Sequence, residues 1–423
     1  MWEKLMQIWK IKDLRKSILF VLAMLVIFRF AAHIPIPGVN VENLREFFGS
    51  SDILGLLNIF SGGGMQNFSI VMMGVAPYIT SSIIFQLLGM IVPKLEEMQK
   101  EEAGRQKINM YTRIATVPLA ILQSYSMIKL LQQSPKPIIE DLNPYKLMTM
   151  IVTITAGTIF LMWIGELISE KKIGNGISLM IFAGIIASIP QAVQQVVINF
   201  DRSNFITLVV FVAIAIITIV GVVIITEGQR NIPVSYARRV RGMKMYGGTS
   251  THLPLRVNQA GVIPIIFAIS LILFPPMVAQ FFVNAKTEFI AQLSQFIIDI
   301  FNNQVFYGVM YFLLVFGFTY FYTAVIFHPQ QIADNLQKQG GFIPGIRPGQ
   351  HTEGYLSNTI KRITLVGALF LGVIAVLPLV MRQATGMTSL VIGGTSLLIV
   401  VSVVIETVKQ IESQLVMRDY EGF

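Results

Sequence analysis

Ten apolar stretches, each about as long as a membrane is thick, recur along almost the whole chain at 17–34, 68–92, 114–131, 147–168, 177–198, 205–226, 260–283, 305–327, 363–381 and 390–407. A hydrocarbon core of about 30 Å takes about 20 apolar residues as α-helix, because any other open backbone leaves amides unpaired in lipid. The spacing therefore predicts ten transmembrane helices, and the even count places both termini on one side. The intervals between the stretches leave no room for a soluble core. Of the 423 residues 13% are charged, about half the share of an average soluble domain, and this agrees with lipid as the solvent.

Charge sets the orientation. If the N-terminus is cytoplasmic, 24 of the 32 Lys and Arg lie in cytoplasmic segments, seven on the other side, and Arg29 within the first stretch. That asymmetry is the positive-inside bias and predicts cytoplasmic termini. The formal charge of +9 is then mainly a topological signal. At the N-terminus, Trp2, Leu5 and Trp9 share one helical face, with lysines elsewhere. This pattern suits an interfacial amphipathic helix or a frayed tail, and no small-residue cleavage site follows the first stretch, against a removable signal peptide.

Several classes of chemistry are disfavoured. With no cysteine, disulfides, thiolate metal sites and cysteine nucleophiles are excluded. His33, His252, His328 and His351 stand in separate segments without metal-ligand spacing. No H-E-x-x-H, Walker A, G-x-S-x-G or dinucleotide fingerprint occurs, so neither an enzyme nor a cofactor is indicated. Arg29 and Glu166 are the ionisable groups near membrane depth, both close to a boundary, whereas an ion-coupled transporter would show coordinating groups at mid-depth. A T-V-G-Y-G potassium filter is missing as well.

Local breaks in the apolar pattern carry more information. The piece at 52–63 is apolar, about ten residues long and ends in Gly62-Gly63-Gly64. It is too short to cross, and reads as a re-entrant element or as a helix lying flat on the outer leaflet. Pro77 falls inside the second stretch and Pro264 inside the seventh, where each should kink or loosen a helix. The Gly393-Gly394-Thr395-Ser396 run is a similar weak point in the tenth. Gly174-Asn175-Gly176 precedes the fifth stretch, where Asn175 or Ser178 can cap the helix and glycine permits close approach. Two cytoplasmic loops, 227–258 and 328–362, are long. The first carries Arg230, Arg238, Arg239, Arg241, Lys244 and Arg256, the second a Gly/Pro-rich turn ending Ile346-Arg347-Pro348-Gly349. Ordered loops of this length are usually functional, and a basic projection suits acidic protein, anionic lipid or RNA phosphate. Broken helices with a mainly aliphatic interior favour a gated pore over a small-solute transporter.

In order along the chain, Ile34-Pro35-Ile36-Pro37-Gly38, Asn58-Ile59-Phe60-Ser61-Gly62-Gly63, Pro77-Tyr78-Ile79, Gly174-Asn175-Gly176-Ile177-Ser178, Thr251-His252-Leu253-Pro254-Leu255, Phe342-Ile343-Pro344-Gly345-Ile346-Arg347-Pro348-Gly349 and Gly393-Gly394-Thr395-Ser396-Leu397-Leu398-Ile399 resemble signatures of the SecY family of protein-export channels. The resemblance implies an all-α integral membrane protein of the bacterial plasma membrane with ten transmembrane helices in two pseudo-symmetric five-helix halves. The first half is 1–172 plus the fifth span at 173–204, and the second is 205–423. It also implies that 52–63 is a plug, with Ile53, Leu54, Leu57, Ile59 and Phe60 as its apolar residues, and that Val75, Ile79, Ile177, Ile181, Ile266 and Ile399 form an aliphatic pore ring. Val75 stands where relatives often carry isoleucine, which implies a slightly wider ring. Gln86 and Asn258 match polar positions of a lateral gate between spans 2–3 and 7–8. Arg238, Arg239, Arg241 and Arg347 would contact the SecA motor ATPase or the ribosome. SecE-like and SecG-like small membrane subunits, signal-sequence-bearing polypeptides and membrane lipid are the other implied partners. The implied activity is passive translocation of unfolded polypeptides and lateral release of transmembrane segments, without a cofactor.

Overall fold

Each of the ten apolar stretches overlaps a helix in the computed structural model of the chain, which describes residues 9–50, 58, 61–132, 134, 136–139, 142–198, 205–236, 239–241, 244–246, 250–283, 287–385 and 394–421. The helices are α1 (Lys12–Ala31), α3 (Ala76–Ile91), α5 (Glu102–Gln132), α6 (Pro144–Glu170), α7 (Gly176–Ile198), α8 (Phe205–Glu227), α9 (Ile263–Phe282), α11 (Gln304–Ile326), α13 (Gln350–Thr385) and α14 (Gly394–Glu421). Shorter helices stand between them: α2 (Val41–Ser50), α4 (Pro93–Lys100), α10 (Glu288–Asn302) and α12 (Pro329–Lys338). By length and composition six helices among the described residues can cross a membrane, or seven if α3 and α4, bent 110° to one another, count as one broken span. α7 adds a shorter apolar segment, Gly176–Gln191. Residues 1–8 of the amphipathic N-terminal pattern lie outside the described residues.

The second and seventh spans differ from expectation at their prolines. Residues 68–75 form consecutive tight turns, and helix α3 starts only at Ala76, with Pro77 in its first turn. Helix α9 likewise starts at Ile263, with Pro264 in its first turn. Neither proline kinks a helix. In the first turn the missing N–H has no intrahelical acceptor to lose, and the fixed φ already suits a helix, so proline opens the element. Before each stands a glycine in the left-handed region, Gly74 at φ +57° and Gly261 at φ +62°. A Gly-Val-x-Pro unit thus starts both helices, at 74–77 and 261–264.

At the fifth span the open choice of cap is decided. Asn175 Oδ1 accepts from the amides of Ile177 (3.0 Å) and Ser178 (3.3 Å), so Asn175 caps α7. A Cβ on Gly176 would overlap the Gly165 carbonyl of α6, so glycine here permits the close approach of α6 and α7.

Helices α1, α3, α5, α6 and α7 pack among themselves, and α8, α9, α11, α13 and α14 do the same. The two groups meet along two seams, where α9 touches α3 and α5, and where α14 touches α7. The two long loops form one structure. Strand β1 (Gln229–Tyr236) pairs antiparallel with β4 (Ser250–Arg256) on one side, and Ser235 and Tyr236 pair with Phe342 and Gly341 of β5 (Gly341–Phe342) on the other. Between β1 and β4, β2 (Arg239–Arg241) and β3 (Lys244–Tyr246) make a small ribbon. Ile232, Val234 and Leu255 of the sheet, Ile343, and Leu356 and Ile360 of α13 bury one another in a core separate from the main one.

Candidate functional site: an apolar constriction between two helix groups

The six expected ring residues come from four helices. Val75 caps α3 and Ile79 lies in its first turn, Ile177 and Ile181 lie in the first two turns of α7, Ile266 in the first turn of α9, and Ile399 in the second turn of α14. The glycine turns fix where α3 and α9 begin and the Asn175 cap where α7 begins. All six belong to one apolar cluster. Five are buried, and Ile177 is partly exposed and packs against them. Val75, Ile79, Ile181 and Ile266 also line a cavity of about 50 Å³ whose other walls include Ser61, Met65, Met73, Met127 and Met277. Ile399 and Ile177 are in the cluster but not on the cavity wall. The walls are mainly aliphatic and methionine side chains, with Ser61, Thr80, Gln123 and Ser270 among them, and branched aliphatic walls offer a hydrated ion nothing to replace its shell.

One side of the cavity is closed by the turn 61–65, whose folding is specified locally. The carbonyl of Asn58 accepts from Gly63 N (2.8 Å) and Ser61 Oγ (2.9 Å), and its side-chain oxygen accepts from Gln66 N (2.9 Å). Ser61 Oγ in turn accepts from Met65 N (3.2 Å). The expected plug residues Ile53, Leu54, Leu57, Ile59 and Phe60 lie outside the described residues.

Of the expected gate residues, Gln86 lies on α3 and Asn258 between β4 and α9. Gln86 Nε2 donates to Ser82 Oγ within its own helix (3.2 Å), and Asn258 Nδ2 donates to Gly261 O (3.1 Å). The amide oxygen of each, Gln86 Oε1 and Asn258 Oδ1, is buried without a hydrogen-bond partner. The polar link across the seam runs elsewhere: Ser126 Oγ of α5 donates to Met277 O of α9 (2.9 Å). Behind it Gln123 Nε2 of α5 donates to Thr80 Oγ1 of α3 (3.4 Å), while Gln123 Oε1 is unpaired. Sequence reasoning missed these residues, although Gln123-Ser124-Tyr125-Ser126 is a conspicuous polar run inside an apolar stretch. Next to Ser126, a second apolar cavity of about 310 Å³ extends to Pro276 of α9, Phe301 of α10 and Tyr307 of α11.

Arg347 is exposed on a turn held from both sides. Ile343 is buried, Ile346 packs on the same small core, and the Arg347 carbonyl accepts from Thr352 Oγ1 (3.0 Å). Arg238 lies outside the described residues, and Arg239 and Arg241 stand on β2 of the ribbon, paired with Tyr246 and Lys244.

The SecY family profile matches residues 69–408. The chain belongs to the SecY family. It is 44% identical to the protein translocase subunit SecY of Streptomyces galbus, over 97% of each chain, and 44% identical to that of Halalkalibacterium halodurans over the full length of both. To the Thermotoga maritima subunit it is 41% identical, over 100% of this chain and 98% of that one. The fold agrees. A solved structure of a protein-conducting channel superposes with a TM-score of 0.61 at 16% identity, covering 93% of this chain and 91% of the other. A SecY structure in which the plug domain stabilises the closed state superposes at 0.62 and 17% identity, with the same coverage. Sec61 in the canine ribosome-channel complex from the endoplasmic reticulum superposes at 0.59 and 16% identity, again with the same coverage. SecY membership makes the chain a multi-pass membrane protein that acts as a protein-conducting channel subunit, a transporter and not an enzyme.

Proposed function

We propose that the chain is a passive, gated channel of the bacterial plasma membrane that passes unfolded secretory polypeptides through the ring Val75, Ile79, Ile177, Ile181, Ile266 and Ile399. The observation that carries this reading is the gathering of six branched aliphatic side chains from four helices into one apolar cluster beside a small, mainly apolar cavity. Aliphatic walls exclude ions by dewetting when empty, yet bind no particular side chain strongly, so many sequences can slide past.

All ten helices are spans in this reading, with cytoplasmic termini. The helices of 1–172 and 173–204 form one half and those of 205–423 the other. The two packing groups, and the Gly-Val-x-Pro unit that starts one helix in each, support this division. The front seam of α3 and α5 against α9 is the lateral gate. Unpaired oxygens on Gln86, Asn258 and Gln123 make its closed state less than fully satisfied, and the Ser126 bond across it is easily broken. A hydrophobic substrate helix partitioning toward lipid can compete with such a seam. Residues 52–63 are the plug.

Energy comes from outside. Arg347, presented on a rigid turn, and the arginines of the ribbon meet SecA or the ribosome through acidic side chains or RNA phosphate. The curated relatives are translocase subunits and one structural neighbour is in a ribosome complex, which supports these partners and the SecE-like and SecG-like subunits beside lipid.

The test is site-directed crosslinking of a stalled secretory chain to single cysteines at Ile79 and Ile399, in a background that is naturally free of cysteine. Crosslinks from both sites are expected. Persistent absence with the chain engaged rejects the polypeptide path and favours a small-solute transporter.

A further inference from the structure

Arg29 is a cation in the last turn of α1, half-buried, on a helix that otherwise reads as a membrane span. Such a residue needs a partner, and an ionisable group within a span is by default functional. The partner is specific: the guanidinium donates through Nη1 to the carbonyl of Gly62. Gly62 has φ +69°, and a Cβ there would stand 2.6 Å from the ring tip of buried Phe28, on the preceding residue of α1. Two neighbouring side chains of α1 therefore grip one glycine, Phe28 by shape and Arg29 by charge.

That glycine lies in the 61–65 turn, two of whose residues, Ser61 and Met65, wall the cavity next to the ring. Its bonds from Asn58 and Ser61 are internal and move with it. Further on, the backbone pairs Ile36 N with Phe68 O (2.9 Å) and Ile70 N with Ile34 O (3.0 Å) tie the chain to the end of α1 only beyond the turn. Ser69 N donates to Gly64 O (2.9 Å) and Phe68 N to Met65 O (3.1 Å), and Met65 is buried, so the far end of the turn is fixed to that attachment, and it is the near end, 61–63, that Arg29 ties to the span.

We propose that Arg29 is a positioning residue, a latch that holds the 61–65 turn over the resting pore and lets go when a polypeptide enters. This rests on the channel reading above. Release is feasible because Arg29 is within one turn of the helix end, so the freed guanidinium can snorkel to the membrane interface. Lysine, a point charge without the planar fork, should hold the carbonyl less well.

The test uses the reconstituted translocase in planar bilayers, with potassium current as the probe. Arg29→Met should raise the resting conductance at least tenfold and Arg29→Lys by an intermediate factor, while hydrogen exchange speeds up at amides 61–65 and not in α5 or α6. A merely structural arginine would speed exchange throughout the bundle or leave the resting current unchanged, and either result overturns the latch. Should the variants fail to assemble, the wild-type protein still decides. Amides 61–65 should exchange at least tenfold faster when a stalled chain is engaged than at rest, and equal rates reject release. Wild-type current that never appears with a chain engaged rejects the channel reading instead, which separates the two failures.

Discussion

In the proposed channel individual side chains carry the seal. Ile79 and Ile399 are buried in the same cluster from two different helices, α3 and α14. Replacing either by glycine removes a branched side chain, opens space and loosens the helix start. Resting ion conductance of the reconstituted channel should rise severalfold, and an unchanged conductance contradicts the ring assignment. Arg347 makes the opposite kind of case, because it is exposed and its backbone is held by Ile343, Ile346 and Thr352. Arg347→Glu should therefore leave expression and melting unchanged while lowering motor-driven export at least tenfold in a vesicle translocation assay. Normal export by that variant removes the assigned contact. Asn175 is a local stability element, with its side chain accepting two amides at the start of α7. Asn175→Ala should cost about 1 kcal/mol, seen as a lower melting temperature and, since α7 carries Ile177 and Ile181, as a leakier resting state.

Glycine contacts and thin polar seams set the closest helix approaches, beside a large shared apolar core. Gly176 lies against the Gly165 carbonyl, and Gly157 against the carbonyl of Ile70. Backbone cannot retreat as a flexible side chain can. Gly176→Val should therefore force α6 and α7 apart at a cost of about 1–3 kcal/mol, measurable as loss of folded protein in detergent, whereas Gly317→Ala, with nothing near its Cβ, should be neutral. At the front seam, Ser126→Ala deletes the bond to Met277 O. Interhelical hydrogen bonds in membranes average about 0.6 kcal/mol, so the closed state should lose about a factor of three. The readout is the hydrophobicity at which half of a series of test segments is released into lipid, which should shift to less hydrophobic segments. Proline has the same logic at this scale. Pro77 and Pro264 read in the sequence as kinks because the apolar stretches extend upstream of them, but apolarity measures burial, and residues 68–75 are buried as turns rather than as helix.

At the scale of the whole molecule, apolar length and charge asymmetry made most of the architecture readable. Ten apolar stretches became ten helices because lipid, or a bundle interior, demands that each segment satisfy its own backbone bonds. The class of protein follows from that demand together with the family motifs, and so do the expected count of spans, the proposed aliphatic pore and the expected cytoplasmic location of the 24 basic residues. Pairing between distant segments was hidden. β5, more than 80 residues beyond β4, joins β1 in one sheet, and no periodicity in either loop announces it, since Phe342 and Gly341 contribute only two paired residues. The same holds for the seam. Gln123 and Ser126 are visible as polar residues in a span, but that Ser126 meets the carbonyl of Met277, 151 positions on, depends on how two helix groups pack, and packing is decided by shape summed over many contacts. Arg29 shows the division most clearly. Its cost at membrane depth is legible from sequence by itself, because desolvation is a property of one side chain and its solvent. Its partner, the carbonyl of Gly62, is chosen only when tertiary structure brings the end of α1 beneath a glycine turn, because a backbone carbonyl carries no mark in the sequence.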